Sequence, residues 1–347
     1  MKDEYSGQGG SYLLDPETGK RTLIKRTLPA DPPQENGTTS STETTDSDRN
    51  RIELRSRSNS NRNRRGFSED LNITPQQSDV VNRDLIRPYL GASEQLLANT
   101  RVECTFSVEL AGSGAAGTAP QYGKALQACG LSETVAAGTS VTYAPVSAAF
   151  SSVTIHYNID GVRHKVTGAR GTFTLNGSVG EIPTIDFTFT GIYNAPDDSA
   201  LPSVTYANQA TPLIFKNGNT DTFSLLSYSG CLQSVSMDIG NTVVYRELIG
   251  CTKEVLITDR SASGSVSIEM VALATKDYFT AALTDGTLGN LTFQHGTTAG
   301  NIVDFASTQV DIGDVSYGDQ DGIAMLNIPY TAIPSTAGND EFSLIYT

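Results

Sequence analysis

The feature that most constrains this chain is a series of short β-strand patterns that occurs twice in the same order. In the first series, apolar and polar residues alternate strictly, which is typical of strands with one buried face. The segments concerned are VECTFSVEL (102–110), VTIHYNI (153–159), GTFTL (171–175) and IDFTFT (185–190). High Gly, Ser and Thr content and the absence of Trp also favour strands and turns over helices.

The second half of the chain repeats this order with little sequence identity. The matching segments are SVSIEMVAL (265–273), TKDYFTAAL (275–283), NLTFQH (290–295), TQVDI (308–312) and IAMLNIPY (323–330). The offset falls from about 164 to about 138 residues, because loops around 131–150 are longer in the first series. A recurring order of elements predicts a tandem duplication.

One segment in the first series has helical rather than strand periodicity. Within QYGKALQACG (121–130), apolar side chains recur at i, i+3, i+4 and i+7, which places them on one helical face. Those side chains are Tyr122, Ala125, Leu126 and Cys129. Gly130 suits the position that ends such a helix, and TKDYFTAAL is its counterpart in the second series.

These patterns predict a mainly β protein with two tandem domains, at 67–204 and 205–347. Each is expected to be a β-sandwich or half-barrel with one short α-helix. Residues 1–66 are predicted to be an extended or partly disordered arm, because 29–65 lacks periodic apolar content. Within the arm, two short apolar stretches around the turn signal DPETGK predict a small hairpin over 12–27.

The net charge of −14 is unevenly distributed. Residues 1–66 hold 12 Lys/Arg and 10 Asp/Glu, a net +2, whereas the remaining 12 and 28 give −16. An acidic body repels phosphate, so a DNA-binding surface is not expected there. For the basic run at 49–65, binding of nucleic acid and docking on an acidic neighbouring subunit both remain open.

No arrangement of side chains in the sequence predicts an enzyme, a metal site or a cofactor site. The four cysteines are widely spaced and are expected to be buried thiols, with a Cys231–Cys251 disulfide as the alternative. His156, His164 and His295 are expected at the surface or at an interface. The acidic run at 311–321 predicts a turn, with a calcium site as the alternative, although it lacks the EF-hand pattern.

Three motifs carry a resemblance to the major tail tube proteins of long-tailed bacteriophages. They are the helix APQYGKALQACG, the hairpin DGVRHKVTGARG and the strand GEIPTIDFTFTGIY. The resemblance covers about 67–347, most strongly 71–200, and does not extend to residues 1–66. It implies a structural virion protein of the tandem-domain type, which polymerises as stacked rings into the tube through which DNA is ejected.

The resemblance also implies how the subunits assemble. Six tube domains line each ring and close an inter-subunit β-barrel, so three chains with two domains each predict a trimer with pseudo-sixfold symmetry. Expected partners are further copies of the chain and the tape measure, tail terminator and distal tail proteins. Viral DNA passes through the lumen without specific binding, no membrane is involved, and assembly takes place in the host bacterial cytoplasm.

Two groups of residues are predicted to serve this assembly. A long loop or hairpin at 74–100, matched by 238–261 in the second half, is expected to reach neighbouring subunits. Its candidate contact residues are Arg83, Asp84, Arg87, Glu94, Arg101, Arg246 and Glu247. Candidate residues for the lumen are acidic positions on strands that face away from the core, namely Asp186, Glu269 and Asp311.

Two other classes of protein remain as alternatives. One is the tube protein of a contractile secretion-type apparatus, which the duplication disfavours because such subunits are usually single domains. The other is a β-sandwich adhesin or tail decoration module. An adhesin predicts aromatic clusters on loops, whereas Phe and Tyr here fall mostly within strands.

Overall fold

The computed structural model describes residues 10–14, 21–26, 51–56, 69–83, 85–201, 209–284 and 286–347. These residues belong to two compact units, one within 1–45 and the other within 46–347. In the first unit, β1 (Gly10–Leu14) and β2 (Arg21–Arg26) pair antiparallel. The hairpin predicted over 12–27 is therefore confirmed.

The second unit contains the two series of strands, called here the first and the second repeat. The first repeat comprises β3 (Arg51–Ser56), β4 (Glu69–Asn82), β5 (Gln95–Glu109), α1 (Gly123–Ala128), β6 (Leu131–Ala136), β7 (Ser140–Pro145), β8 (Val153–Ile159), β9 (Val162–Ser178), β10 (Thr184–Ile192) and β11 (Asp197–Asp198). The second comprises β12 (Thr220–Leu225), β13 (Leu232–Asp238), β14 (Asn241–Arg246), β15 (Glu254–Arg260), β16 (Ser263–Glu269), α2 (Tyr278–Leu283), β17 (Gly289–His295), β18 (Val303–Ile312), β19 (Ser316–Gln320), β20 (Ile323–Ala332) and β21 (Ser343–Tyr346).

Eight strands form one continuous antiparallel sheet, called here the main sheet, that runs through both repeats. Its order is β4–β5–β10–β9–β13–β16–β20–β19. The pairing of β9 with β13 joins the repeats, since β9 belongs to the first and β13 to the second. The mainly β fold class is confirmed, while the domain boundary at 204/205 stays a prediction.

A second run of antiparallel strands lies in the order β6–β7–β21–β18–β17–β12. Apolar side chains of this run share a single core cluster with those of the main sheet, for example Tyr143 with Phe187. The pairings among the described strands form a branched, open network and close no barrel within the chain. The inter-subunit barrel stays a prediction.

The strands that each repeat contributes to the main sheet follow the same order, although one of them differs. In the first repeat β9 is continuous, whereas in the second its counterpart is interrupted at 313–315 and continues as β18 and then β19. The first half of β20 therefore pairs with β19 and its end with β18, whereas β10 pairs with β9 along nearly its whole length. The expected match of GTFTL with TQVDI is wrong: by its pairing, the counterpart of GTFTL lies in β19.

The strand β3 lies within the basic run at 49–65, part of the arm that is predicted to be extended or partly disordered. It pairs parallel with β8 along its whole length, from Arg51 opposite Thr154 to Ser56 opposite Ile159. An exposed strand edge can order a segment that has only a weak intrinsic preference for β structure, because it offers main-chain hydrogen bonds. The edge of β8 provides that template.

The helix α1 lies where the sequence predicts it. All four side chains of its predicted apolar face are buried, and Gly130 follows it with a φ of 85°, as a residue that ends a helix requires. The counterpart α2 begins after Asp277, whose carboxylate accepts a hydrogen bond from the Thr280 backbone N–H at 2.9 Å.

Two predictions about individual side chains are wrong. Cys104 and Cys129 are buried as expected, but Cys231 and Cys251 are exposed, and all four thiols are free. His156 and His295 were expected at the surface or at an interface, but both are buried within the chain. The ring of His295 stacks on Phe215 with centroids 5.7 Å apart, and its Nδ1 lies 2.8 Å from the Thr220 hydroxyl.

The burial of His295 predicts a loss of stability at mildly acidic pH. Desolvation lowers its pKa below the usual value near 6.5, so the unfolded chain binds the proton more readily than the folded one. The free energy of unfolding is therefore expected to be highest above about pH 6.5 and to decrease as the pH falls toward the folded-state pKa. Urea unfolding at pH 7 and pH 5 measures this. A His295→Gln variant with the same pH dependence as the parent chain would contradict it.

Candidate functional site

One face of the main sheet is polar and is called here the outer face. Residues directly opposite each other on neighbouring strands point to the same side of a sheet, so the strand register identifies the members of this face. One row crosses six strands of the main sheet and continues onto the end of β18, a strand of the second run that pairs there with β20. The row consists of Ser107, Asp186, Thr174, Asp238, Ser263, Thr331 and Asp311. Alternate residues on the same strands, such as Ile185 and Phe187, are buried on the opposite face.

The outer face carries hydroxyl, amide and carboxylate groups along almost its whole width. The neutral members include Thr105, Thr172, Asn176, Thr188, Ser234, Ser236, Ser265, Ser267 and Asn327. Some bond to one another, as in the hydrogen bond from Asn176 Nδ2 to Asp186 Oδ2 at 2.7 Å. The polar side chains named above are half-buried or exposed, whereas Met325, which lies opposite Glu269 on the same face, is buried.

The three predicted lumen residues all lie on the outer face. Asp186 and Asp311 belong to the same row, and Glu269 lies on it because it is six residues, an even number, from Ser263 along β16. Glu103, Glu109 and Asp238 add three carboxylates that the sequence reasoning did not name. The alternation within VECTFSVEL could have identified the two glutamates as members of this face, since each lies between two buried residues.

Two basic side chains lie at one end of the outer face, and both are engaged. Arg101 Nη1 is 3.2 Å from Asp79 Oδ1, and hydrogen bonds from Asn99 and Arg101 lower the pKa of that carboxyl. The guanidinium of Arg170 donates to the carbonyl oxygens of Phe150, Ser151 and Val255. Neither cation is left to offset the carboxylates in the middle of the face.

Both predicted reaching segments are two-stranded hairpins. The C-terminal part of β4 and the N-terminal part of β5 form the first hairpin, called arm 1 (74–100). The strands β14 and β15 form the second, called arm 2 (241–260). Arm 2 lies on the first repeat of its own chain. Its Asn241 Nδ2 donates to the carbonyl oxygens of Cys129 and Gly171.

The predicted contact residues of the arms pair mostly within their own hairpin. Arg83 Nη1 lies 2.6 Å from Glu94 Oε1, and the guanidinium of Arg87 lies 6.0 Å from the Tyr89 ring centroid. In arm 2, Arg246 pairs with Glu254, and Glu247 with Lys253 at 2.8 Å. Asp84 lies outside the described residues. Exposed ion pairs of this kind contribute little to the stability of a hairpin. The role of these residues in contacts between subunits stays a prediction.

The described residues contain no cluster of metal-ligating side chains. Among the helices in the described ranges, none is both long and apolar enough to cross a membrane.

Comparison with known proteins decides the family. The family model of the phage tail tube protein matches residues 30–332, which is most of the chain. The chain belongs to the phage tail tube protein family. No curated protein matches the chain with significant similarity. Membership confirms the resemblance, although the match begins at residue 30 and so includes part of the arm, to which the resemblance was not expected to extend. It assigns a structural role in the tail of a bacteriophage virion.

Within this family, the outer face and the two arms are the features that suit a tube subunit. A tube needs one wall toward its lumen and other surfaces that contact copies of the same chain. The main sheet offers a polar wall, and arm 1 offers exposed apolar side chains such as Val80 and Leu97.

Proposed function

We propose that this chain polymerises as stacked rings into the tail tube, with the outer face of the main sheet lining the conduit for DNA. The observation that carries the proposal is the continuous row of polar and acidic side chains on a face that spans both repeats. Like charges repel the DNA backbone, so a duplex is kept off the wall and does not bind it.

The stoichiometry follows from the two repeats. Three chains supply six repeats, which gives a trimeric ring with pseudo-sixfold symmetry, and a heterologous interface closes such a ring when its rotation allows. The tape measure, terminator and distal tail proteins are the proposed partners at the lumen and the tube ends. Assembly in the host cytoplasm places the finished tube in the virion tail.

Purified protein is expected to form rings or tubes with a central hole in negative-stain microscopy. The mass of a single ring is expected to equal that of three chains. A monodisperse monomer at high concentration under all salt conditions would count against the tube. A ring of six chains would contradict the stoichiometry alone.

Reversing charge on the outer face is expected to slow DNA passage without preventing assembly. In virions built with Asp186→Arg/Asp238→Arg, each new cation can contact a phosphate, and such contacts weaken steeply as salt rises. We expect DNA release in vitro to slow about tenfold at low salt and to recover at high salt, since a few phosphate contacts contribute on this scale. Fluorescence of released DNA measures the rate.

The matched control compares two single variants with the same change of charge. Asp186→Arg places that charge on the outer face and is expected to slow release, whereas Asp221 is exposed on β12, a strand of the second run, so Asp221→Arg is expected to leave release unchanged. Equal slowing by both variants would show that net charge acts and not the outer face.

A further inference from the structure

The main sheet ends in two strands that have a neighbour on one side only. Among the described strands, β4 pairs with β5 alone and β19 with β20 alone. An unpaired strand edge exposes main-chain N–H and C=O groups and is a template for another strand. The two edges are at opposite ends of the same eight-stranded sheet.

One junction between two such edges is already formed within the chain. It joins the last main-sheet strand of the first repeat to the first main-sheet strand of the second. At the centre of the sheet, β13 pairs antiparallel with the end of β9, with Ser236 opposite Asn176. Arm 2 follows β13 and lies over the first repeat, where its Val255 is 1% exposed. This junction combines strand pairing with an arm that covers the neighbouring repeat.

Because the two repeats share one order of main-sheet strands, the two strands that would form a second junction of this kind can be identified. The strand order β4–β5–β10–β9 of the first repeat matches β13–β16–β20–β19 of the second. The strand β4 therefore occupies the position of β13, and β19 that of the end of β9. The strand that would complete β19 is a β4, and within one chain β4 is at the far end of the sheet.

Apolar side chains are exposed where that junction would cover them. Phe173 pairs with Phe187 and is fully buried, whereas Tyr317, at the matching position opposite Leu326, is 66% exposed. At the end of α2, Leu283 is 83% exposed, whereas arm 2 contacts the matching end of α1.

Arm 1 shows the complementary exposure. Its paired residues Val80 and Leu97, and likewise Val81 and Leu96, are all about half exposed. In arm 2, by contrast, Val255 and Ile257 are buried, and Val244 is 41% exposed. Arm 1 has no such cover among the described residues of its own chain.

We propose that β4 and arm 1 of one copy of this chain add to β19 and the end of α2 of a second copy, in the register of the internal junction. The proposal rests on the proposed ring and identifies its subunit contact. Ile73 and Val235 both lie opposite buried positions of the next strand, Cys104 and Val266, so Thr74 corresponds to Ser236. Gln320 corresponds to Asn176, because each is the last paired residue before the hairpin turn to β20 or β10. The expected inter-chain pair is Thr74 opposite Gln320.

A disulfide between these two positions tests the proposal. The variant Thr74→Cys/Gln320→Cys is made in a Cys231→Ser/Cys251→Ser background, because those two native thiols are exposed. Directly opposite residues have Cβ atoms about 4.5–5.5 Å apart, which is close enough for a disulfide after a small adjustment. Mild oxidation of assembled protein is expected to give covalent dimers and trimers on a non-reducing gel, and reduction is expected to remove them.

Two matched variants make the result decisive. Asn176→Cys/Ser236→Cys reproduces the internal junction and is expected to form a disulfide within one chain, which shows that this geometry permits the bond. Thr74→Cys/Ser316→Cys shifts the register by four residues, roughly 13 Å along the strand, and is expected to form none.

The possible outcomes distinguish a failure of the proposed contact from a failure of the proposed tube. Tubes without the Thr74–Gln320 disulfide, when the internal control is oxidised, would overturn the proposed contact and leave the tube in place. Cross-linking without tubes would support the contact and contradict the proposed function. Absence of both would contradict both, and equal cross-linking by the shifted pair would overturn the register.

Discussion

Replacing Phe173 by Ala is expected to lower the free energy of unfolding by about 3–5 kcal/mol. The side chain is fully buried, and its ring centroid lies 5.8 Å from that of Phe187, inside the core that both repeats share. Truncation removes apolar contact and leaves a cavity at the junction of β9 with β13. Urea unfolding at a protein concentration that gives no rings measures the change.

Its counterpart Tyr317 is expected to respond differently. Because the ring is largely exposed, Tyr317→Ala should change the free energy of unfolding by no more than about 0.5 kcal/mol. On the proposed subunit contact, the same variant is expected to reduce tube formation strongly in negative-stain images. If Tyr317→Ala destabilised the isolated chain as much as Phe173→Ala, the two positions would not differ in the way their exposure indicates.

Replacing Arg260 by Ala is expected to cost about 3–5 kcal/mol, because it leaves a buried carboxylate without its cation. Arg260 Nη2 lies 2.6 Å from Glu341 Oε1, both side chains are 10% exposed, and Nη1 donates to the Val146 carbonyl oxygen at 2.7 Å. The Arg260–Glu341 ion pair connects the base of arm 2 with the segment before β21. Loss of the guanidinium therefore affects both the charge balance and the position of the arm.

Two comparisons test this explanation by denaturant unfolding. Removing both charges in Arg260→Met/Glu341→Leu is expected to restore most of the loss, since no buried charge is left unpaired. Arg246→Ala breaks an exposed ion pair at the tip of the same arm and is expected to cost less than about 1 kcal/mol. Equal losses for Arg260→Ala and Arg246→Ala would contradict the role of burial.

Local periodicity was sufficient to predict about half of the elements of the second unit. The boundaries of β8 coincide with the predicted VTIHYNI, and the apolar face of α1 is buried as its spacing indicates. These elements could be predicted because side-chain alternation depends only on which face of a strand or helix is covered. The same alternation pointed to Asp186, Glu269 and Asp311, which the structure places together on the outer face.

Pairing between distant segments could not be predicted from periodicity. The strand β3 has polar composition and exists next to β8, about a hundred residues away in sequence. The interruption between β18 and β19 likewise displaced the counterpart of GTFTL.

The match of VECTFSVEL with SVSIEMVAL also needs a shift of one residue. Val102 is a core residue, whereas Ser265 belongs to the outer face. A slip of one position exchanges the two faces of a strand, and segment-level similarity does not detect it.

The hydroxyl-rich composition of the outer face has a consequence for motion along it. Ser and Thr side chains each hold water through one donor and two acceptor sites, so a lumen wall of this kind carries a continuous hydration layer. On the proposed function, the duplex would move over that layer and meet no deep energy minimum at any single residue. Friction per base pair would then stay low over the whole length of the tail, which a surface with regularly spaced cations could not achieve.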